Sequence, residues 1–146
     1  MFSSQLFDET TFYQAFIKDL VSCQKEVIIE SPYITNERMK LFLPILKKLL
    51  NKNVRVFVIT RNPKEHEIKL EQQSETGIRA FEVVGVQVLI CLGNHHRKLA
   101  ILDRTVLWEG SLNIFSQNHS REIMRRIEGS ETVNQMFDFL KLKRFI

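Results

Sequence analysis

His96-Arg97-Lys98-Leu99-Ala100-Ile101-Leu102-Asp103, followed by Gly110-Ser111-Leu112-Asn113, is the stretch from which the rest of the chain can be read. As a pattern it is His-x-Lys-x4-Asp-x6-Gly-Ser-x-Asn. With each residue type used at roughly 5%, six fixed positions recur by chance on the order of 10⁻⁸ per starting point, or about 10⁻⁶ over a chain of this length. The spacing therefore carries information. In an extended segment residues two apart share a face, which sets His96 beside Lys98 and turns Leu99 and Ile101 toward a core. Arg97 then faces the other way and needs solvent or a partner.

Such a grouping suits chemistry at phosphorus. A neutral imidazole attacks phosphorus and expels the alcohol oxygen to form a phosphohistidine, which water then opens, dividing a hard hydrolysis into two in-line displacements. Lys98 holds the non-bridging oxygens as a point charge, and the Ser111 hydroxyl and Asn113 amide add donors. His95 belongs to the loop on this reading. His95, His96, Cys91 and Asp103 match no zinc spacing, so neither a metal nor another cofactor is expected.

Upstream of the motif the chain alternates strands and helices. Phe12, Phe16, Ile17 and Leu20 recur at helical spacing after Asp8 or Thr10 as a cap. Val27-Ile28-Ile29 reads as a buried strand stopped by Ser31-Pro32. Asn36 to Leu50 is a second helix, with Pro44 expected to kink or split it. Val54 to Ile59 has the β-branched density of a central parallel strand. Arg61-Asn62-Pro63 is a turn, and Ile68 to Val84 carries a weaker helical period interrupted by Gly77 and ended by Gly85. Val86 to Ile90 is a third strand leading into the loop before His96.

Downstream, Leu99 to Ile101 and Val106-Leu107-Trp108 form a hairpin across Asp103-Arg104-Thr105. Ile123 to Ile127 is a last strand. Glu131 to Leu142 is a closing helix, with Lys141, Lys143 and Arg144 placed to favour its dipole. The expectation is one α/β domain over residues 1–146, with a mixed, mostly parallel central sheet and helices on both faces. Trp108, in an apolar run, reads as core rather than as a base-stacking platform.

The chain has 146 residues, 44% of them hydrophobic, enough for one domain to bury a core without staples. Lys and Arg number 21 against 17 Asp and Glu, a net charge of +4 compatible with a phosphate-bearing partner but not diagnostic of one. Cys23 and Cys91 lack paired spacing, which fits a reducing, cytoplasmic setting. The first residues do not have the pattern of an export signal, and no apolar run approaches the roughly 20 residues of a membrane span, so no membrane partner is expected.

The pattern resembles the HKD motif of the phospholipase D superfamily. The resemblance implies a metal-independent phosphodiesterase in which His96 is the nucleophile, Lys98, Ser111 and Asn113 bind phosphate, and Asp103 and Gly110 are structural members of the motif. It also implies that a glutamate downstream of Gly-Ser-x-Asn orients the histidine, and Glu122 is the matching position. Arg121, Arg125 and Arg126 are candidates to guide a backbone phosphate into the cleft, with a solvated, salt-bridged edge as the competing reading. Arg104 stands where glycine is common in the family.

One motif supplies one histidine, whereas the two-step chemistry asks for a nucleophile on one side of phosphorus and an acid on the other. Neither His66 nor His119 has a lysine at the required distance. The chain is thus similar to the small single-motif bacterial nucleases of the superfamily, which implies a homodimer placing two His96 rings across one phosphate, with DNA as the expected substrate. Two alternatives stand: a phospholipid phosphodiesterase, or a catalytically silent DNA-binding and dimerisation domain accompanying a helicase or restriction system. Ile29-Glu30-Ser31-Pro32-Tyr33-Ile34-Thr35 and Trp108 to Ile114 resemble the phospholipase D-like domains of such assemblies.

Overall fold

The computed structural model describes residues 2–146. Its elements in chain order are β1 (Ser3–Asp8), α1 (Phe12–Val21), β2 (Glu26–Glu30), α2 (Asn36–Asn51), β3 (Arg55–Arg61), α3 (Ile68–Val84), β4 (Gln87–Cys91), β5 (Leu99–Leu102), β6 (Val106–Gly110), β7 (Ile123–Glu128) and α4 (Ser130–Phe139). Short 3₁₀ turns occupy Pro63–Glu65 and Leu142–Phe145. All seven strands join one sheet, in the order β1-β7-β6-β5-β2-β3-β4.

The mixed α/β sheet is as expected, but four of its six pairings are antiparallel. Crossover helices α2 and α3 make β2, β3 and β4 parallel, as the alternating pattern demands. The hairpin β5–β6 then enters beside β2 rather than beyond β4, and β7 and β1 extend that side antiparallel. β1 was not legible as a strand. It is an edge strand with Ser3, Ser4, Gln5 and Leu6 exposed, so burial never imposed an apolar alternation on it.

Helices cover both faces. Phe12, Phe16 and Leu20 of α1, Phe42 and Leu46 of α2, and Phe81 of α3 pack on Val27, Ile29, Val56, Val58, Ala100 and Trp108. Val133 and Phe137 of α4 cover the reverse side, on Ile28, Phe57, Leu99, Ile101 and Leu107. Adjacent residues of β2, β3 and β5 are therefore both buried, which is why these strands read as unbroken apolar runs. Trp108 is fully buried at the centre of the aromatic cluster, and its indole N–H donates to Asp19 at 2.9 Å.

Several local expectations are corrected. Helix α2 runs through Pro44 unbroken; Pro44 and Lys40 are both exposed, so the carbonyl that loses its donor is left to water. Gly77 does not interrupt α3, since its missing side chain makes room for Ile34, whose Cγ2 lies 2.4 Å from where a Cβ would stand. Thr11 is the N-cap of α1, while Asp8 accepts from the N–H groups of Thr10 and Thr11 just before it. Helix α4 ends at Phe139 and Lys141 is left-handed (φ 54°), so Lys141, Lys143 and Arg144 lie beyond its last turn.

The turn after β5 explains two features of the motif. Asp103 and Arg104 both have positive φ, 52° and 54°, the conformation for which glycine is common at the second position. Arg104 holds it by donating to Glu26 (Nε to Oε1, 3.0 Å) and lying over the Phe137 ring at 3.9 Å. The Asp103 carboxylate accepts from the N–H groups of Gln24, Lys25 and Glu26, at 2.8, 2.8 and 2.9 Å. Three otherwise orphaned donors at the start of β2 are thereby satisfied.

Candidate active site

The C-terminal ends of β2, β3 and β4 converge with the start of β5 at one edge of the sheet, where open α/β sheets bind ligands. The segment carrying His96 and Lys98 precedes β5 rather than belonging to it, so its side chains take loop directions instead of strand alternation. The two motif residues still meet. Lys98 Nζ lies 2.7 Å from His96 Nδ1 and donates to the His96 carbonyl at 2.8 Å. An ammonium has no lone pair, so Nδ1 is the acceptor and the single proton of the neutral ring sits on Nε2.

His96, Lys98, Gly110, Ser111 and Arg125 line a cleft of about 710 Å³ between the hairpin side of the sheet and α4. Ser111 Oγ accepts from the N–H of Ile123 at 3.0 Å, while the Ser111 N–H donates to the Ile123 carbonyl at 2.9 Å, fastening the serine to the head of β7. Gly110 allows this approach, because a Cβ there would stand 2.1 Å from the Ile123 carbonyl oxygen.

Other expected site residues lie further off. Asn113 is not in the cleft wall: its backbone carbonyl accepts from Ser116 and Gln117, and its Oδ1 is buried without a hydrogen-bond partner. Glu122 makes no hydrogen bond to His96 among the described residues. Hydrogen bonds from Ser111 and Ser120, with Lys98 nearby, hold its carboxyl below the usual range, so the negative charge faces the lysine. Arg126 is engaged by Asp19 (2.6 Å) and Glu128 (3.0 Å), and Arg125 donates to Ser4. Arg121 is exposed and does not line the cleft. Asp103 lies at the opposite end of β5 from His96, in the backbone-holding role described above.

Residues outside the motif complete the surroundings. The Tyr33 ring, following β2, stands edge-on to His96 with centroids 5.9 Å apart, and the His66 ring packs against Tyr33 at 4.8 Å. Arg61, at the end of β3, donates to Glu65 (3.0 Å) and Asn94 (2.7 Å). In the sequence Arg61 marks only the start of a turn, and Tyr33 belongs to no chemical motif. Their position at the C-terminal ends of parallel strands was the available signal. Among the described residues no group of three or more His, Cys, Asp or Glu side chains is placed to hold a metal ion, and no helix is long and apolar enough to cross a membrane.

The electrostatics favour a neutral His96. Desolvation first, then the cations Lys98 and Arg61 and the neighbouring His95, push its pKa below the ordinary imidazole value of 6.5. Burial likewise lowers the Lys98 pKa, against an opposing pull from Glu122. A lowered imidazole pKa keeps the free base populated to lower pH. If activity requires that base, the acidic limb of a kcat/KM profile falls below pH ~6.5. Lys98→Gln removes the adjacent cation and moves that limb to higher pH. A pH profile of the two proteins checks this, and a limb that stays put or moves down contradicts it.

The family model described as cardiolipin synthase, PLD-like domain, matches residues 16–141. A search of curated proteins finds no match. Among solved structures the chain is similar to Nuc from Salmonella typhimurium, a phospholipase D family member, at 13% identity and TM-score 0.77, covering 97% of this chain and 93% of that one. NucT from Helicobacter pylori aligns at 20% identity and TM-score 0.70, covering 97% and 94%. Phosphatidylserine synthase from Haemophilus influenzae aligns at 15% identity and TM-score 0.72, over 99% of this chain but 39% of that one. A match over most of the sequence, on a shared fold that sets the histidine and lysine of the motif side by side, places the chain in the phospholipase D superfamily.

Proposed function

We propose that this domain is a phosphodiesterase acting on nucleic acid, with DNA as its substrate, through attack of His96 on phosphorus without a metal. The observation that carries the reading is the contact of Lys98 with His96 at the wall of an open cleft shared with Ser111. A bound phosphate diester offers the Lys98 ammonium an anion in place of the ring nitrogen. Lys98 then moves onto the phosphate oxygens, and the ring is free to shift its proton and attack. Arg125, at the cleft wall, supplies a further cation for a neighbouring phosphate.

The need for a second histidine supports a homodimer. Leu6, Ile123 and Phe139 border the cleft and are 64%, 63% and 80% exposed, an apolar rim beside a site that has only half of its acid–base machinery. Near end-to-end correspondence with Nuc and NucT supports a substrate like that implied for small single-motif members, whereas the chain covers 39% of the lipid-synthesising relative.

The test is cleavage of single- and double-stranded DNA in excess EDTA, beside headgroup release from phospholipid vesicles. DNA cleavage that survives the chelator is the expected result. Release from vesicles with intact DNA turns the reading to the lipid alternative. Salt-sensitive DNA binding with no turnover points to the silent module of a larger DNA-processing assembly.

A further inference from the structure

His96 hangs from a segment with no regular structure. Residues 92–98 link β4 to β5, with Gly93 at φ 85° and Asn94 at φ 61°. Such a segment holds an imidazole to a fraction of an ångström only when other groups fix it. On the solvent side Glu65 accepts from the N–H groups of Gly93 (3.0 Å) and Asn94 (3.4 Å), and Arg61 donates to the Asn94 side chain. The other tie runs inward. His95, immediately before the motif histidine, brings its Nε2 to 2.9 Å from Oε1 of Glu30, at the end of β2.

Glu30 is 1% exposed and shares a face of β2 with Glu26, which makes the two comparable. Glu26 is bridged by two arginines, Arg55 at 2.7 Å and Arg104 at 3.0 Å. Glu30 has neither. Among the described residues His95 is its one ion-pairing neighbour within 4 Å, and apart from that contact neither carboxylate oxygen nor His95 Nε2 has a polar partner. A lone buried carboxylate is costly unless it is paired, and the one partner within reach of Glu30 is the His95 ring. A carboxylate serving only as scaffold is satisfied by arginine, as at Glu26. At Glu30 the partner is instead a titratable ring joined through one peptide bond to His96.

We propose that Glu30 and His95 are positioning residues: the buried carboxylate clamps the His95 ring, and His95 in turn fixes where His96 stands in the cleft. This rests on the reading of His96 as nucleophile. The groups facing His96 are Lys98 on its own segment, Arg61 from β3, His95, and the Tyr33 ring after β2, with Glu122 facing Lys98 from before β7. Those around the pair are Cys91 of β4, and Arg97 and Arg144 lining a pocket of about 340 Å³. His95 is also among the neighbours that lower the His96 pKa, so a change at the pair reaches the nucleophile as well.

The experiment follows the histidine Cε1–Hε1 signals of the whole chain by NMR across pH, with His96 assigned through His96→Gln. His95→Gln, Glu30→Gln and the double variant each raise the His96 midpoint toward the usual imidazole value, the double no further than either single change. With bis(4-nitrophenyl) phosphate as substrate, all three lose on the order of 10–100-fold in kcat, with KM within about twofold, the size seen for partners that orient catalytic ligands. The single losses do not multiply in the double variant. A midpoint that stays put in all three, a kcat that does not fall, or losses that multiply overturns the proposal. The double variant leaves no lone charge in the sheet and decides the matter where a single change prevents folding. A wild-type chain without turnover sinks the nuclease reading, and the NMR titration then decides the positioning role by itself.

Discussion

His96→Gln is expected to fold as the wild type does and to lose at least about 10³-fold in kcat/KM, equivalent to roughly 4 kcal/mol of transition-state stabilisation. The ring is exposed at the cleft, so its removal leaves no cavity. Glutamine keeps a carbonyl oxygen for the Lys98 ammonium, which now bonds Nδ1 at 2.7 Å, but it has no nitrogen lone pair with which to attack phosphorus. Neighbouring histidines do not substitute. His95 directs its Nε2 at Glu30, and His66 has both ring nitrogens buried. Single-turnover cleavage of DNA, with thermal unfolding measured on the same preparations, checks the expectation. Activity within tenfold of wild type in a folded His96→Gln protein sets the nucleophile elsewhere.

How much of this site was readable in advance follows from where each residue sits. His96, Lys98, Gly110 and Ser111 are fixed by short spacings across one hairpin, and the hairpin returns them to one cleft. Asp103 was legible as a structural residue from the same spacing, but the backbone it holds, residues 24–26, comes from a distant part of the chain. Glu122 and Arg126 lie beyond an irregular stretch whose path leaves no periodic signal, and their partners, Ser111 and Asp19, come from distant segments. Tyr33, Arg61, Glu30 and His95 meet only because β2, β3 and β5 are neighbours, and strand order is not written in any local pattern.

The fold divides along the same line. Helix α3 and the strands β2 and β3 appeared where burial forces a period or an unbroken apolar run, and Gly85, with φ 109°, closes α3 where its glycine suggested. Burial on both faces gives β2 and β5 a central place, but no local pattern says which strand lies between which. A hairpin placed at the edge beyond β4 would have satisfied the same alternation. Its insertion beside β2 is fixed by tertiary contacts: Asp103 reaching the N–H groups of residues 24–26, and Arg104 pairing with Glu26.

Gly110→Ala is the second large effect, and it acts through the fold rather than the chemistry. Gly110 is the last residue of β6, opposite Met124 of β7, and an alanine Cβ would stand 2.1 Å from the Ile123 carbonyl oxygen and 2.9 Å from Met124 Cα. Both are backbone atoms, so no side-chain rotation relieves the clash and the strands must part. Parting them breaks the paired contacts of Ser111 with Ile123, at 2.9 and 3.0 Å, each worth about 1 kcal/mol. Overpacking a tight site adds about 1–3 kcal/mol. The expected loss is therefore about 3 kcal/mol or more, a fall of roughly 10 °C in Tm for a chain of this size. Ser111 moves with β6 and the segment bearing Glu122 with β7, so the folded fraction is also expected to lose activity at permissive temperature. Thermal unfolding beside Gly93→Ala separates close approach from backbone strain, because Gly93 is left-handed (φ 85°) with nothing within 4 Å of its Cβ position. That control costs only about 1 kcal/mol. Equal Tm losses in the two variants mean that β6 and β7 yield more easily than their spacing implies.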